Sequence, residues 1–171
     1  MKGMLYKKIF ICTVASLIFP NLTYGCLYKS FEASVNKSFG SGNQKNVSII
    51  TQINIPTVGK IKDFDISLDL NHTSFCDLAI SIQSPCGTSA TISYYDQYTF
   101  IANKQCSGWL TVDNESDNVI SQLGNVLTNS SFKPDGKKPI SVFYSLPAMG
   151  LWKITITDLR YGDTGTLNRI R

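Results

Sequence analysis

Residues 71–88, NHTSFCDLAISIQSPCGT, gather much of the chemically capable material of this chain: its only histidine, His72, two of its five cysteines, and Asp77. A histidine beside an acid and a hydroxyl is the raw material of nucleophilic catalysis. His72 continues the parity of Phe64, Ile66, Leu68 and Leu70, so it faces a core just as its strand ends. Asp158 continues the parity of Trp152, Ile154 and Ile156 at the end of another strand. A triad would add a serine, and none is supplied. There is no G-x-S-x-G elbow, and Ser74 and Ser84 read as turn residues. A buried histidine at a strand end is otherwise held by an acid or the main chain. His72 therefore reads as a fastener, and the chain as no enzyme.

Asp77, Asp158 and Asp163 lie at strand ends or in the turn DLRYGDTG, where carboxylates and nearby carbonyls suit calcium, a hard cation taking six to eight oxygens. Scattered turn aspartates also serve as Asx-turn residues, and no EF-hand loop is present. Tyr94, Tyr95 and Tyr98 cluster in YYDQY, where exposed rings would stack on carbohydrate or anchor a protein, and buried ones would merely alternate along a strand.

The elements that position these groups begin after a leader. Lys2, Lys7 and Lys8 precede an apolar run from Ile9 to Phe19, too short to span a bilayer, and Thr23-Tyr24-Gly25 ends in small residues. Residues 1–25 read as a secretory signal peptide, which implies a secreted, periplasmic or extracellular protein with no membrane span once it is removed. The formal charge of +4 then shrinks: thirteen basic and twelve acidic side chains remain, or +1, which gives no pull toward nucleic acid.

Cys26, Cys76, Cys86 and Cys106 survive cleavage, an even number suited to disulfides in an oxidising compartment. Cys76 and Cys86 flank a strand over 77–84, so about 30 Å separates them, beyond the ~7 Å a disulfide spans. The hairpin read over SATISYY and YTFIA makes Cys86 and Cys106 opposite neighbours, which favours Cys86–Cys106 with Cys26–Cys76. The alternative is Cys26–Cys86 with Cys76–Cys106.

Residues 26–46 read as a loose polar lead-in, and 47–171 as one domain of short strands. VSIITQINI is β-branched. Asp63, Asp65, Ser67 and Asp69 alternate with the apolar set to give one wet face. ISVFYSL, LWKITITDL and TLNRI read as further strands around a long Asn/Ser-rich loop at 112–138. No helical period follows the leader, which points to an all-β sandwich or barrel.

The apolar alternation running into His72-Thr73, then Asp77-Leu78, Ser84-Pro85 and Gly87-Thr88, resembles the P domain (Homo B domain) of furin/kexin-type proprotein convertases. Gly150, Trp152, Asp158, Gly162, Asp163, Gly165 and Leu167 extend the resemblance over about residues 47–171. It implies a jelly-roll β-sandwich of about eight mostly antiparallel strands. It also implies a non-catalytic accessory role beside a subtilisin-like protease, with calcium as a possible companion. Here the protease would be a separate protein partner; a carbohydrate-binding module on the same architecture is the rival. His72, Thr73 and Trp152 become structural residues of the family pattern. The family carries Trp two places after Leu167, and this chain has Arg169 there, which predicts altered core packing.

Overall fold

A computed structural model describes residues 9–12, 27–40, 43–93, 105–119, 126–134 and 138–171. Its strands are short. In chain order they are Ile9–Cys12 (β1), Leu27–Lys29 (β2), Ala33–Phe39 (β3), Val47–Ile55 (β4), Lys60–Asp63 (β5) and Ile66–His72 (β6). Leu78–Gln83 (β7), Ser89–Ser93 (β8), Gln105–Cys106 (β9) and Trp109–Val112 (β10) follow. Val126–Leu127 (β11), Ser130–Phe132 (β12), Gly150–Asp158 (β13) and Gly165–Ile170 (β14) complete the set. The eight strands expected are thus subdivided, and among the described residues there is no α-helix.

Two sheets form the sandwich. One runs β4-β13-β7-β8 and is antiparallel throughout. The other centres on β6, with β14 and then β3 on one side. On its other side lie β10 and β12 toward one end and β9 and β11 toward the other, with β10–β12 and β9–β11 parallel. A small sheet, β2-β1-β5, flanks them.

Period-two alternation closes the core. Leu78, Ile80 and Ile82 of β7 meet Trp152, Ile154 and Ile156 of β13, and Leu68, Leu70 and Leu167 face them from the other sheet; all are buried. Trp152 stacks on Phe64 at 5.0 Å between centroids, meets Phe143 edge-on at 4.9 Å, and donates its indole N–H to Ala148 O at 2.8 Å. A buried indole with its one donor satisfied holds the two sheets together without a polar penalty.

Four expectations are corrected. The lead-in is not loose over 33–39: β3 pairs with β14 along its length, and Phe39 is buried. It hides in sequence because it is an edge strand whose middle faces water. The face of β6 expected to be wet is so only in part: Asp65 and Ser67 are buried, with the Ser67 hydroxyl pairing with Thr111 at 2.9 Å, whereas Asp69 is half-buried and Asn71 is exposed. ISVFYSL is not a strand. Ile140 and Phe143 are both fully buried and stand three apart, the period of the single 3-10 turn that Ile140–Phe143 forms.

The fourth concerns Arg169. A register shift between Leu167 and Arg169 bulges β14, so Ile170 turns inward to 1 % exposure while Arg169 faces solvent. Core packing is kept by slipping one residue. Outside, Arg169 pairs with Asp69 and Glu32, and its guanidinium and that of Arg171 lie 4.8 and 4.7 Å from the Trp109 ring.

Candidate functional site

β6 carries a group of acids at each end. At its C-terminal end the His72 ring stacks flat on Phe39, 5.4 Å between centroids. Its Nδ1 lies 3.0 Å from the Ser74 N–H and 2.8 Å from Ser74 O, and Nε2 faces Asp158 Oδ2 at 3.5 Å. Nδ1 either accepts from Ser74 N–H or donates to Ser74 O according to the tautomer, and a proton on Nε2 points toward the carboxylate. The contact is too long for a hydrogen bond, and neither Nε2 nor Oδ2 makes one elsewhere. Asp158 Oδ1 accepts from Arg160 N–H at 3.1 Å.

The main chain closes tightly on this pair. Gly40, at φ +77°, leaves no room for a side chain: a Cβ there would lie 2.6 Å from both Asp158 Oδ2 and Asp163 O. At Gly165 a Cβ would collide with the His72 ring and lie 2.6 Å from Asn71 O. The glycines of the GDTG stretch and the lead-in thus let two loops press against a histidine.

Around it, Thr73 donates its hydroxyl to Asp163 Oδ1 at 2.5 Å, and Arg160 Nε lies 3.3 Å from Asp77 Oδ1. Burial raises the Asp77 carboxyl above its ordinary range, opposed by its Ser74 hydrogen bond and the Arg160 charge, with Asp163 adding to the rise. The three acids proposed for calcium do gather at one end. Each, however, faces an internal partner: His72 for Asp158, Arg160 for Asp77, Thr73 for Asp163. Asp77 and Asp163 are close enough to act on each other, while Asp158 is turned toward His72.

A cleft of about 560 Å³ opens over the same end, with Asn71, Thr73, Gln105, Ser107 and Thr166 at its rim and His72 and Cys106 below. Cys106 is the cross-strand partner of His72, which suggests a cysteine–histidine–aspartate constellation. The chemistry excludes it. Cys106 is 1 % exposed, and burial pushes its thiol up to about 12, so thiolate is negligible at neutral pH. The His72 ring makes its hydrogen bonds to the Ser74 main chain, not to a serine hydroxyl or a thiol. Among the described residues, no side chain is hydrogen-bonded to the His72 ring as a nucleophile would be.

The opposite end of β6 is built differently. Carboxylate oxygens of Asp63, Asp65 and Glu115 lie within 4.8 Å of one another, close enough to share a hard cation by chemistry alone. The Tyr144 hydroxyl sits 3.1 Å from Asp63 Oδ1 and 3.4 Å from Glu115 Oε1, and its one proton serves one of them at a time. Burial, with the Asp63 and Glu115 charges beside it, pushes the Tyr144 hydroxyl up to about 12. Burial first, then the Asp113 and Asp63 carboxylates, raises Glu115. The spacing D-x-D at 63–65 was visible in sequence as strand alternation; its convergence with Glu115 depends on the loop after β10.

Farther along the pairing of 58–61 with 145–149, away from the acids, apolar side chains are exposed. The Lys60–Pro147 bridge and the Ala148 N–H to Gly59 O bond set Val58 opposite Met149, with Leu151 two residues on, and all three are more than half exposed. The 84–88 turn belongs to this end, because a Cβ on Gly150 would lie 2.8 Å from the Pro85 ring. Cys86, exposed in that turn, has its thiol held by the Ser84 hydroxyl, with the Thr88 hydroxyl beyond; both lower its pKa.

That placement overturns the Cys86–Cys106 pairing. β13 runs from Gly150, beside Cys86, to Asp158, beside the His72–Cys106 pair, eight steps of about 3.3 Å each or roughly 26 Å. The hairpin reading misled because Cys106, in β9, lies in a different sheet from β8. All three described cysteines, Cys76, Cys86 and Cys106, are thiols here. Cys26, Tyr94, Tyr95 and Tyr98 lie outside the described residues.

No curated protein matches the chain in sequence. Among solved structures, a serine protease of Aeromonas sobria is similar at 15 % identity and a TM-score of 0.49, over 82 % of this chain and 25 % of that one. The complex of the Aeromonas sobria serine protease and the chaperone gives 17 % identity and a TM-score of 0.47, over the same shares. The chain thus spans about a quarter of the length of either. Residues 61–171, about two thirds of the chain, match the sequence profile of the proprotein convertase P-domain. The glycine-closed His72 end and the sandwich beneath it are therefore those of a family member: the chain belongs to the proprotein convertase P-domain family.

Proposed function

We propose that this chain is an exported, non-catalytic accessory module that docks on a protein partner, a subtilisin-like serine protease supplied as a separate chain. The family supplies the accessory role, and no described residue is set as a nucleophile against His72. The observation that carries docking is the exposure of three large apolar side chains, Val58, Met149 and Leu151, with Val58 set opposite Met149 by the pairing of 58–61 with 145–149. Exposed apolar patches rimmed by polar groups mark interaction sites. Carbohydrate stacking was attached to Tyr94, Tyr95 and Tyr98 and draws no support from the described residues.

The test is capture from the native extracellular fraction, with wild-type protein and a Met149→Asp/Leu151→Asp variant as parallel baits. Recovery of a subtilisin-like protease by the wild type alone is the expected result; equal recovery by both sinks this docking end. Export is tested separately, by N-terminal sequencing of the extracellular form, which should begin at Cys26. A retained Met1 terminus removes the export half of the proposal.

A further inference from the structure

Three pairings of the four mature cysteines are possible, and the fold disposes of two. Cys86 sits at the Gly150 end of the sandwich. Cys106 lies at the His72 end, and so does Cys76, in the 3-10 turn Phe75–Asp77 that leaves β6 beyond His72. We propose that Cys76 and Cys106 are the sites of a disulfide that clamps this crossover onto β9. The bond's presence in the native protein rests on the export reading; its geometry does not.

The main chain prepares the approach. Cys106 is the direct antiparallel partner of His72, a relation that holds Cβ atoms about 4.5–5.5 Å apart on one face. The His72 ring touches both the N–H and the C=O of Ser74, which folds residues 73–77 back over that face. Cys76 is two residues on, within the turn closed by Asp77 N–H to Ser74 O at 3.1 Å. Phe75 packs edge-on against Phe132, 6.0 Å between centroids, anchoring the turn on the β9–β12 side of β6. Cys76 also acts electrostatically on the Cys106 thiol, which the His72 main chain holds by a hydrogen bond.

The chemistry is two successive exchanges with a small disulfide such as oxidised glutathione. The thiolate of one cysteine attacks a reagent sulfur and expels one reagent thiol. The second cysteine's thiolate then displaces the other, so two protons and two electrons leave the protein and the reagent is reduced. Cys76 is half-buried and Cys106 is sealed, so reaction is slow in the folded reduced chain and fast during refolding.

The decisive experiment uses the full chain carrying Cys12→Ser, Cys26→Ser and Cys86→Ser, refolded in a glutathione redox buffer, alkylated under denaturing conditions and digested without reduction. Loss of both alkylation sites, with the Cys76 and Cys106 peptides joined, is expected, together with a Tm on the order of 5–10 °C above the same chain reduced. Two alkylated thiols, or only disulfide-linked dimers, would overturn it. Wild-type protein from the extracellular fraction is mapped in parallel. Reduced Cys76 and Cys106 in protein recovered from that fraction, or a Cys86–Cys106 or Cys76–Cys86 link there, overturns the proposal; a chain that forms the link in vitro but never reaches that fraction refutes the export reading and leaves the geometry standing.

Discussion

The two ends of β6 solve the problem of carboxylates near a core in opposite ways. At the His72 end each acid meets a dedicated partner, and glycines bring the main chain down on the pair. At the Asp63 end acids face one another across a tyrosine hydroxyl. Acids held by His72, Arg160 and Thr73 at one end, and acids with only a tyrosine hydroxyl between them at the other, predict that equivalent substitutions will have opposite signs. A closed end holds the fold, and an electrostatically strained end is the one a partner can relieve.

The largest expected effect is at the closed end. His72→Ala removes a buried ring that stacks on Phe39 and faces Asp158, and should cost about 3–5 kcal/mol in urea unfolding through the cavity it leaves. A loss under ~1 kcal/mol would reduce this end to ordinary surface. Gly165→Ala comes next, at about 1–3 kcal/mol, because its methyl meets the His72 ring and Asn71 O; an unchanged denaturation midpoint would contradict that packing. Thr73→Val removes one hydroxyl bond to Asp163 and should lower stability by about 1 kcal/mol in the same assay.

At the open end the sign turns. Glu115→Gln relieves repulsion from Asp113 and Asp63 and should raise Tm slightly at pH 7, with chelator present to separate charge relief from loss of a bound ion. The folded Glu115 carboxyl titrates higher than its unfolded value. Its contribution is therefore fully present below the ordinary value near 4.5 and is lost as pH rises through the raised one. Wild-type stability should fall across that window more steeply than that of the variant. A steeper fall in the variant would mean that a cation, and not burial and neighbouring acids, governs the cluster.

Much of this was legible in the residues. Strict alternation in 78–82 and 152–156 identifies β7 and β13, and the parity of His72 and Asp158 brings them face to face, because period two leaves little freedom once one face is buried. β3 was invisible, since an edge strand with a solvated middle has the composition of a loop. ISVFYSL misled because a three-residue period over seven positions resembles an alternation with one error. The cysteine pairing failed for a different reason: symmetry about a turn assumes that the chain returns along the same sheet, and a sandwich allows it to cross to the other. Convergence of Asp63 and Asp65 with Glu115 needs a contact across some fifty residues, which no local pattern encodes.

The slip in β14 has a consequence for how such a sheet tolerates change. With Ile170 supplying the inward side chain that parity assigns to position 169, the strand has exchanged its reading frame while keeping its hydrogen-bonded neighbours β3 and β6. Position 169 is thereby released from the interior and answers only to the aqueous side, where a cation between Asp69 and Trp109 is welcome. A relative with an aromatic at that place and one with an arginine can thus share the same interior volume, and a column-by-column alignment would score as a core substitution what is a half-turn of the backbone.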